Sequence, residues 1–218
     1  MRILLLTSGA INQADCDFIR YKATSLEELD LSRVAFGILD PGTYEDMEGQ
    51  AEEHHYVSPR SGPEPLLLHA TDRADELSKA TELLTVWLEQ DRDSEDSAPE
   101  TIAILVRDRY QRDAVVNGLA QHGVEVRAVD REAAGRGRPV VMTMHRAKGL
   151  EFRKVLLFDV SKNAIPRPLR DQQYSDADSD DALLRERSLL YVAATRARDQ
   201  LAISWSGEAS PLITSLAP

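Results

Sequence analysis

A chain of 218 residues, 42% hydrophobic and 29% charged, has the composition of an ordinary globular protein and is long enough to bury a sizeable core. The formal net charge of −11 argues against a general nucleic-acid coat protein, which is normally basic, but leaves room for a local basic groove. Cys16 is the only cysteine, which excludes an intrachain disulfide and favours a reducing compartment. No apolar run approaches the roughly 20 residues of a membrane span, and the apolar start at 1–6 is too short for a signal peptide. We therefore expect a cytoplasmic protein with no membrane partner.

The first 64 residues carry few signals. Apolar runs at 2–7 and 34–39 predict strands, and 25–31 predicts a short helix. The adjacent His54 and His55 favour a solvated surface over a metal site, because consecutive residues do not face one way and no further Cys/His cluster lies nearby. We treat 1–64 as a separate segment that either completes a sheet edge or ends an upstream domain.

From residue 65 onward, strands and helices alternate, which is typical of a parallel α/β sheet. Strands are predicted at 66–69, 101–106, 124–129, 139–143, 154–158 and 200–204, and helices at 72–90, 108–121, 182–198 and 210–216. Polar, acidic segments at 91–99 and 174–181 are predicted as connecting loops. Helical periodicity assigns two apolar faces to the core, namely Leu77, Ala80, Leu84, Trp87 and Leu88 on the first helix and Tyr110, Ala114, Val115 and Leu119 on the second.

A polar segment, MHRAKGLE at 144–151, separates two strands whose continuous apolar runs indicate burial on both faces. Ligands of open α/β sheets bind at the carboxyl ends of the strands. A basic, glycine-containing loop that leaves such a strand is therefore a candidate to bind phosphate or nucleic acid. We expect His145, Lys148 and Glu151 to leave the same strand end.

Two arginines follow the apolar centre of the last long helix. A guanidinium held rigidly at Arg196 suits the transition-state charge of a transferring phosphoryl group. It equally suits a structural ion pair with Glu186 or Glu151, and spacing alone does not choose between the two. Arg198 fits a simpler role, interaction with the helix dipole and the last carbonyls.

Three stretches resemble superfamily 1 helicases of the UvrD/Rep/PcrA type, and their order along the chain is the order found in that family. The stretch TMHRAKGLEF at 143–152 resembles the fifth helicase motif, and RERSLLYVAATRARDQL at 185–201 resembles the sixth. The strand, helix and strand at 102–126 resemble the unit that precedes them. The resemblance covers about residues 64–218 and implies the second RecA-like motor domain. Its fold is α/β, with a parallel sheet of the P-loop NTPase type flanked by helices, here lacking the phosphate-binding loop.

The resemblance implies a nucleotide-facing set of residues. Arg196 falls on the family's arginine finger, which reaches across the domain cleft to the γ-phosphate of ATP. Glu151 falls on a carboxylate that contacts the nucleotide, and Lys148 and Gly149 shape the loop that carries it.

It also implies a set that faces single-stranded DNA. Thr143 and His145 fall on positions that touch the DNA backbone, and we group the neighbouring Arg146 with them. Short polar groups, an imidazole and a guanidinium can bind phosphate without reading sequence. Tyr191 and Arg187 fall on positions that pack and orient the helix.

Several parts of the family's ATP site are missing from these residues. The sequence has no G-x-x-x-x-G-K-[ST] loop and no Asp-Glu pair at a strand end to bind magnesium. The family's asparagine-tyrosine-arginine-serine element is not recognisable, since Tyr44 and Arg60 are poor candidates for it. Only about 13 residues separate Val126 from Val140, where many relatives insert a large subdomain.

We therefore expect ATP and Mg²⁺ in an intact motor only, with no metal site in this chain and no ATP hydrolysis by it alone. The expected partners are single-stranded DNA and an ATP-binding helicase domain. A non-catalytic adaptor that keeps the fold to bind a partner protein is the alternative, favoured by the acidic balance and the missing phosphate loop. An independent enzyme such as a nuclease would need a carboxylate cluster, which Asp159 alone does not provide.

Overall fold

The computed structural model describes residues 44–45, 51–52, 65–92, 98–130, 135–167 and 176–213. The elements predicted at 2–7, 25–31 and 34–39, as well as His54 and His55, lie outside the described residues. Within the N-terminal segment, β1 (Tyr44–Glu45) and β2 (Ala51–Glu52) form a short antiparallel pair. Whether that segment forms a separate unit stays a prediction.

The remaining strands form one six-stranded sheet in the order β3-β8-β7-β4-β6-β5. All of its neighbouring strands are parallel, which confirms the predicted parallel α/β sheet. The strands are β3 (Leu66–Ala70), β4 (Ile102–Val106), β5 (Arg127–Ala128), β6 (Val140–Thr143), β7 (Phe152–Leu157) and β8 (Ala197–Ser206).

Helices cover both faces of this sheet. They are α1 (Arg73–Arg92), α2 (Arg109–Gln121) and α3 (Asp176–Ala194), and a single 3-10 turn (Pro99–Thr101) precedes β4. Side chains of a strand alternate between faces, so Ile102, Ile104 and Val106 of β4 pack with α1 and α2, whereas Ala103 and Leu105 pack with α3. Among the described residues, no helix combines the length and apolarity that a membrane crossing requires.

The first predicted helical face is confirmed, and the second is partly wrong. On α1, Ala80, Leu84 and Trp87 are buried, as periodicity predicted. On α2, Val115 and Leu119 are buried, but Tyr110 and Ala114 are exposed. The helix packs through Val115, Gly118 and Leu119, and a side chain at Gly118 would lie 2.7 Å from Leu77 of α1. Positions 110 and 114 lie roughly 90° or more around the helix from that contact.

The end of α3 also differs from the prediction. The helix begins at Asp176, inside the acidic run predicted as a loop, and ends at Ala194. Arg196 therefore lies in the turn after the helix, and Arg198 lies on β8. The strand begins earlier than predicted because Ala197 is in register with Phe152 of β7. At the chain's end, 210–213 form a turn where a helix was predicted.

One charged residue of β7 is buried with its partner. Lys154 is only 5% exposed, and its Nζ lies 3.1 Å from Oδ1 of Asp91, which is 4% exposed. The ammonium also donates to the Trp87 carbonyl oxygen at 3.3 Å and to Oε1 of Gln90 at 3.2 Å. These bonds tie the last turn of α1 to β7.

Candidate functional site

The polar segment 144–151 runs from one end of the sheet to the other. Thr143, the last residue of β6, is in register with Val106 at the carboxyl end of β4. Lys154, near the start of β7, is in register with Ile102 at the amino end of β4. His145 thus follows the carboxyl end of β6, and Glu151 precedes the amino end of β7, so the two residues lie toward opposite ends of the sheet. The expectation that His145, Lys148 and Glu151 leave one strand end is wrong.

Buried anchors and one glycine shape this segment. Met144 and Ala147 are fully buried, and the Ala147 amide donates to the Thr143 carbonyl oxygen at 3.2 Å. The Leu150 amide then donates to the Ala147 carbonyl oxygen at 3.0 Å. Gly149 has φ of +82°, a conformation that side chains disfavour. The resulting turn redirects the chain toward the amino end of β7, with Lys148 exposed beside it.

At the amino end, Arg196 is held by the chain around it. Its Nε donates to the Val192 carbonyl oxygen at 2.9 Å, and its Nη1 donates to the Leu150 carbonyl oxygen at 3.1 Å. Its Nη2 donates to Oγ1 of Thr195 at 3.2 Å. Burial lowers the pKa of Arg196, which is only 8% exposed, and nearby Glu151 opposes that shift. Arginine stays protonated in proteins, so this turn holds a permanent, nearly buried cation.

In the described structure, Arg196 forms neither of the two ion pairs considered from the sequence, with Glu186 or with Glu151. Glu186 instead pairs with Arg107 toward the opposite end of the sheet. Within the described ranges, Arg196 and Glu151 form no ion pair, although Glu151 is near enough to influence the arginine's pKa. Arg198 bonds to Asp199 on β8, at 2.7 Å and 3.0 Å. The predicted interaction of Arg198 with the helix dipole is therefore wrong.

At the carboxyl end, His145 is exposed beside two ion pairs. Arg107 pairs with Glu186, and Arg167 pairs with Asp108. Desolvation and the charge of Arg107 lower the pKa of His145, with a further lowering by Arg167 and an opposing effect of Glu186. The imidazole is therefore mostly neutral at pH 7.

The other predicted DNA-facing residues lie at the same edge. Thr143 is half-buried, and its hydroxyl accepts from the Arg146 amide at 3.4 Å. The exposed Arg146 side chain donates from Nε to the Asp130 carbonyl oxygen at 2.5 Å. Thr143, His145 and Arg146 thus come together, whereas Arg196, Glu151 and Gly149 form a separate group at the amino ends. Tyr191 packs against the core that α3 shares with the sheet.

A buried carboxylate at the carboxyl end was not anticipated from the sequence. Glu76 of α1 is fully buried, and its Oε1 accepts from Oγ of Ser204 at 2.6 Å and from the Asp159 amide at 2.8 Å. Burial raises the pKa of Glu76, and the charge of Asp159 raises it further. The available signal was its position four residues before Ala80 on the apolar face of α1.

Asp159 is the centre of this network. Its φ is +59°, and its carboxylate accepts from Nε2 of Gln111 and Oγ of Ser161, both at 2.7 Å. Arg73 approaches the same carboxylate at 2.9 Å and lies over the ring of Phe158 at 4.5 Å. In the part of the chain that the structure describes, no three His, Cys, Asp or Glu residues are placed to hold a metal ion.

The comparisons with known proteins agree on the family. Residues 137–208 match the family model of the UvrD-like helicase C-terminal domain. This part of the chain is therefore similar to a UvrD-like helicase C-terminal domain. The sequence is 36% identical over 95 residues to the putative ATP-dependent DNA helicase YjcD of Bacillus subtilis, a match that covers 44% of this chain and 10% of that protein. It is 36% identical over 86 residues to the ATP-dependent DNA helicase UvrD2 of Mycobacterium tuberculosis, covering 37% of this chain and 12% of that protein.

A solved structure supports the fold over most of the chain. The C-terminal domain of a possible DNA helicase from Lactobacillus plantarum superimposes with a TM-score of 0.58 at 20% identity, covering 84% of this chain and 88% of that one. The UvrD-like domain described here therefore has the RecA-like fold that its sequence predicted. The matched regions span only about a tenth of the length of the curated relatives.

Proposed function

We propose that this UvrD-like domain is the second RecA-like motor domain of a superfamily 1 ATP-dependent DNA helicase. The observation that carries the proposal is the nearly buried guanidinium of Arg196, held by carbonyl and hydroxyl oxygens at the amino ends of β7 and β8. A guanidinium has five N–H donors, so three internal bonds do not exhaust it. Arg196 supplies the arginine finger.

The surroundings of Arg196 favour this role. Its hydrogen-bond partners among the described residues are neutral, and the carboxylate of Glu151 influences its pKa without forming an ion pair with it there. A rigid cation of this kind stabilises the charge that develops on a transferring phosphoryl group. Glu151 contacts the nucleotide from the same side, and the turn of Lys148 and Gly149 sets its position.

The opposite end of the sheet grips the DNA strand. Thr143, His145 and Arg146 offer a hydroxyl, an imidazole and a guanidinium at adjoining positions of one strand end. These groups bind backbone phosphates without reading bases. Because segment 144–151 runs between the two ends of the sheet, it connects the residues that bind DNA to the residues that face the nucleotide. In the assembled motor, ATP closes the domain cleft, hydrolysis reopens it, and the two domains alternate their grip on the strand.

The residues present do not make a magnesium site. The described residues hold no suitable cluster of ligands, and the sequence has no phosphate-binding loop. Mg²⁺ and most contacts to the ATP phosphates therefore belong to the companion ATP-binding domain, and we assign no step to the metal here. By itself the chain binds nucleotide weakly and does not turn it over.

The test is ATP turnover with single-stranded DNA, measured on this chain alone and on the chain joined to an ATP-binding helicase domain. We expect turnover only from the joined protein. Arg196→Ala should reduce that turnover on the order of 10³-fold or more, because the transition-state charge loses its cation. Arg198→Ala is the matched control, since Arg198 is exposed and bonded to Asp199.

Two results would contradict the proposal. Turnover by the 218 residues alone would show that a phosphate site exists within them. Unchanged turnover in Arg196→Ala would remove the arginine-finger role and would leave a non-catalytic adaptor as the better interpretation.

A further inference from the structure

One aromatic side chain stands in solvent at the carboxyl end of the sheet. Tyr110 is 87% exposed, well above the other exposed large apolar residues, Leu66, Val86 and Leu150, at 44%, 48% and 37%. It lies in the first turn of α2, four residues after Val106, the strand end that is in register with Thr143. Within the described ranges, its hydroxyl makes no hydrogen bond. Packing of the protein interior therefore does not explain a large amphipathic ring at this position.

The groove beside Tyr110 contains two arginines and two aspartates, and one of the aspartates, Asp130, also contacts Arg146. It has a volume of about 420 Å³ and is lined by Arg109, Tyr110, Arg112, Asp113 and Asp130. Arg112 is oriented by Asp113 at 2.9 Å and by Asp130 at 3.8 Å.

Asp130 connects this groove to the predicted DNA contacts. Its carbonyl oxygen accepts from Nε of Arg146 at 2.5 Å, and its carboxylate faces Arg112. Asp130 therefore contacts both Arg146 and Arg112, and Arg112 lies on the helix that carries Tyr110. A strand whose phosphate lies on Arg146 can reach the ring with a neighbouring base.

We propose that Tyr110 is a stacking platform for one unstacked nucleobase of the bound single strand. This proposal rests on the DNA-binding role proposed for Thr143, His145 and Arg146, and it adds a base contact that those residues do not provide. Every base has a π face, so a tyrosine ring binds bases without strong sequence preference, while arginines beside it attract the backbone. The ligand class is single-stranded nucleic acid with an accessible base, since bases in a duplex are covered by their neighbours.

The first experiment measures the affinity of the 218-residue chain for a fluorescent oligothymidine by anisotropy. Tyr110→Ala should weaken binding on the order of tenfold, and Tyr110→Phe should keep the wild-type affinity within about twofold, because the stacking surface remains. Tyr110→Leu separates stacking from general apolar contact and should behave like the alanine variant. The control is Val86→Ala, which removes a different exposed apolar side chain, from α1, and should leave the affinity unchanged. Because the ring is exposed, none of these changes should alter the fold, which circular dichroism would verify.

The second experiment replaces one base at a time by an abasic site. Wild-type protein should lose about tenfold in affinity at one position of the oligonucleotide, and Tyr110→Ala should lose nothing further there. Such non-additivity identifies a ring-to-base contact, which a structural role for Tyr110 would not produce.

The outcomes separate this inference from the proposed function. If wild-type chain binds the strand and Tyr110→Ala binds equally well, or if the two losses simply add, the stacking role is overturned and the DNA-binding role stands. If neither the wild-type chain nor the chain joined to an ATP-binding domain binds single-stranded DNA, both are overturned. Loss on Tyr110→Ala with rescue by Tyr110→Phe and a shared abasic position supports the proposal.

Discussion

For single residues, the two ends of the sheet differ in how charge is neutralised. Arg196 is bonded to the carbonyl oxygens of Leu150 and Val192 and to a threonine hydroxyl, so its charge stays available to an incoming anion. Arg107 and Arg167 are each paired with a carboxylate, so a phosphate at the carboxyl end must compete for them. This difference suits transient contact with a moving strand at one end and fixed contact with a phosphoryl group at the other.

The lowered pKa of His145 predicts a pH dependence of DNA binding. The imidazole is mostly neutral at pH 7, and its pKa lies below the ordinary value of 6.5, because desolvation, Arg107 and Arg167 disfavour the cation more than Glu186 supports it. A phosphate prefers the protonated form, so affinity for single-stranded DNA should rise as pH falls below 6.5. Anisotropy titrations between pH 7.5 and 5.5 would measure this. His145→Asn should remove the rise, and an equal rise in that variant would assign it to another group.

The raised pKa of Glu76 predicts a pH dependence of stability. A carboxyl whose folded pKa lies above its unfolded value stabilises the protein fully below the unfolded value, and that contribution is lost as pH rises through the folded pKa. The free energy of unfolding should therefore decrease across that interval, from about pH 4.5 upward. Glu76→Gln, which keeps an acceptor for Ser204 and the Asp159 amide, should flatten this part of the profile. Urea unfolding at several pH values is the measurement, with exposed Glu82→Gln as the control; matching profiles for the two variants would count against this explanation.

For the elements, register between strands decides boundaries that local sequence leaves open. Periodicity continues the helix of 182–198 through Arg196 and Arg198. The helix instead ends at Ala194, because Ala197 pairs with Phe152 and the Phe152 amide donates to the Arg196 carbonyl oxygen at 2.9 Å. At these residues, hydrogen bonding to β7 competes with continuation of the helix, and the strand forms.

The buried pair between α1 and β7 gives a prediction about how these elements are joined. Lys154→Ala should destabilise the protein by about 3 kcal/mol, the lower end of the range for breaking a buried ion pair, because the buried Asp91 carboxylate loses its nearer cation and keeps only Arg153, at 3.7 Å. Replacing both residues together by Met and Leu should recover much of that loss, since a well-packed apolar pair needs no charge partner. Denaturant unfolding of the single and double variants tests this. A double variant as unstable as Lys154→Ala would show that lost packing, not the lost cation beside Asp91, lowers the free energy of unfolding.

At the scale of the whole molecule, the two proposed binding sites lie at opposite ends of the sheet and are separated by the length of its strands. Strand direction puts the groups that follow β4 and β6 at one end and the groups that precede β7 and β8 at the other. Segment 144–151 contributes side chains to both ends within a few residues. A substitution at Gly149, which has a positive φ, should therefore affect the binding of both proposed ligands.

The sequence by itself determined the fold class, the order of the six strands of the sheet and the three long helices, the buried face of α1 and the similarity to UvrD-like helicases. These follow from local signals, namely the period of apolar residues and two long motifs, which are legible without knowing what packs against what. Only the tertiary structure decided that Tyr110 faces solvent, that Arg196 lies beyond its helix, and that Glu76 and Asp159 share a buried network. The reason is physical: which side of a helix is buried, where a helix yields to a strand, and which buried charge finds a partner depend on neighbours distant in the chain.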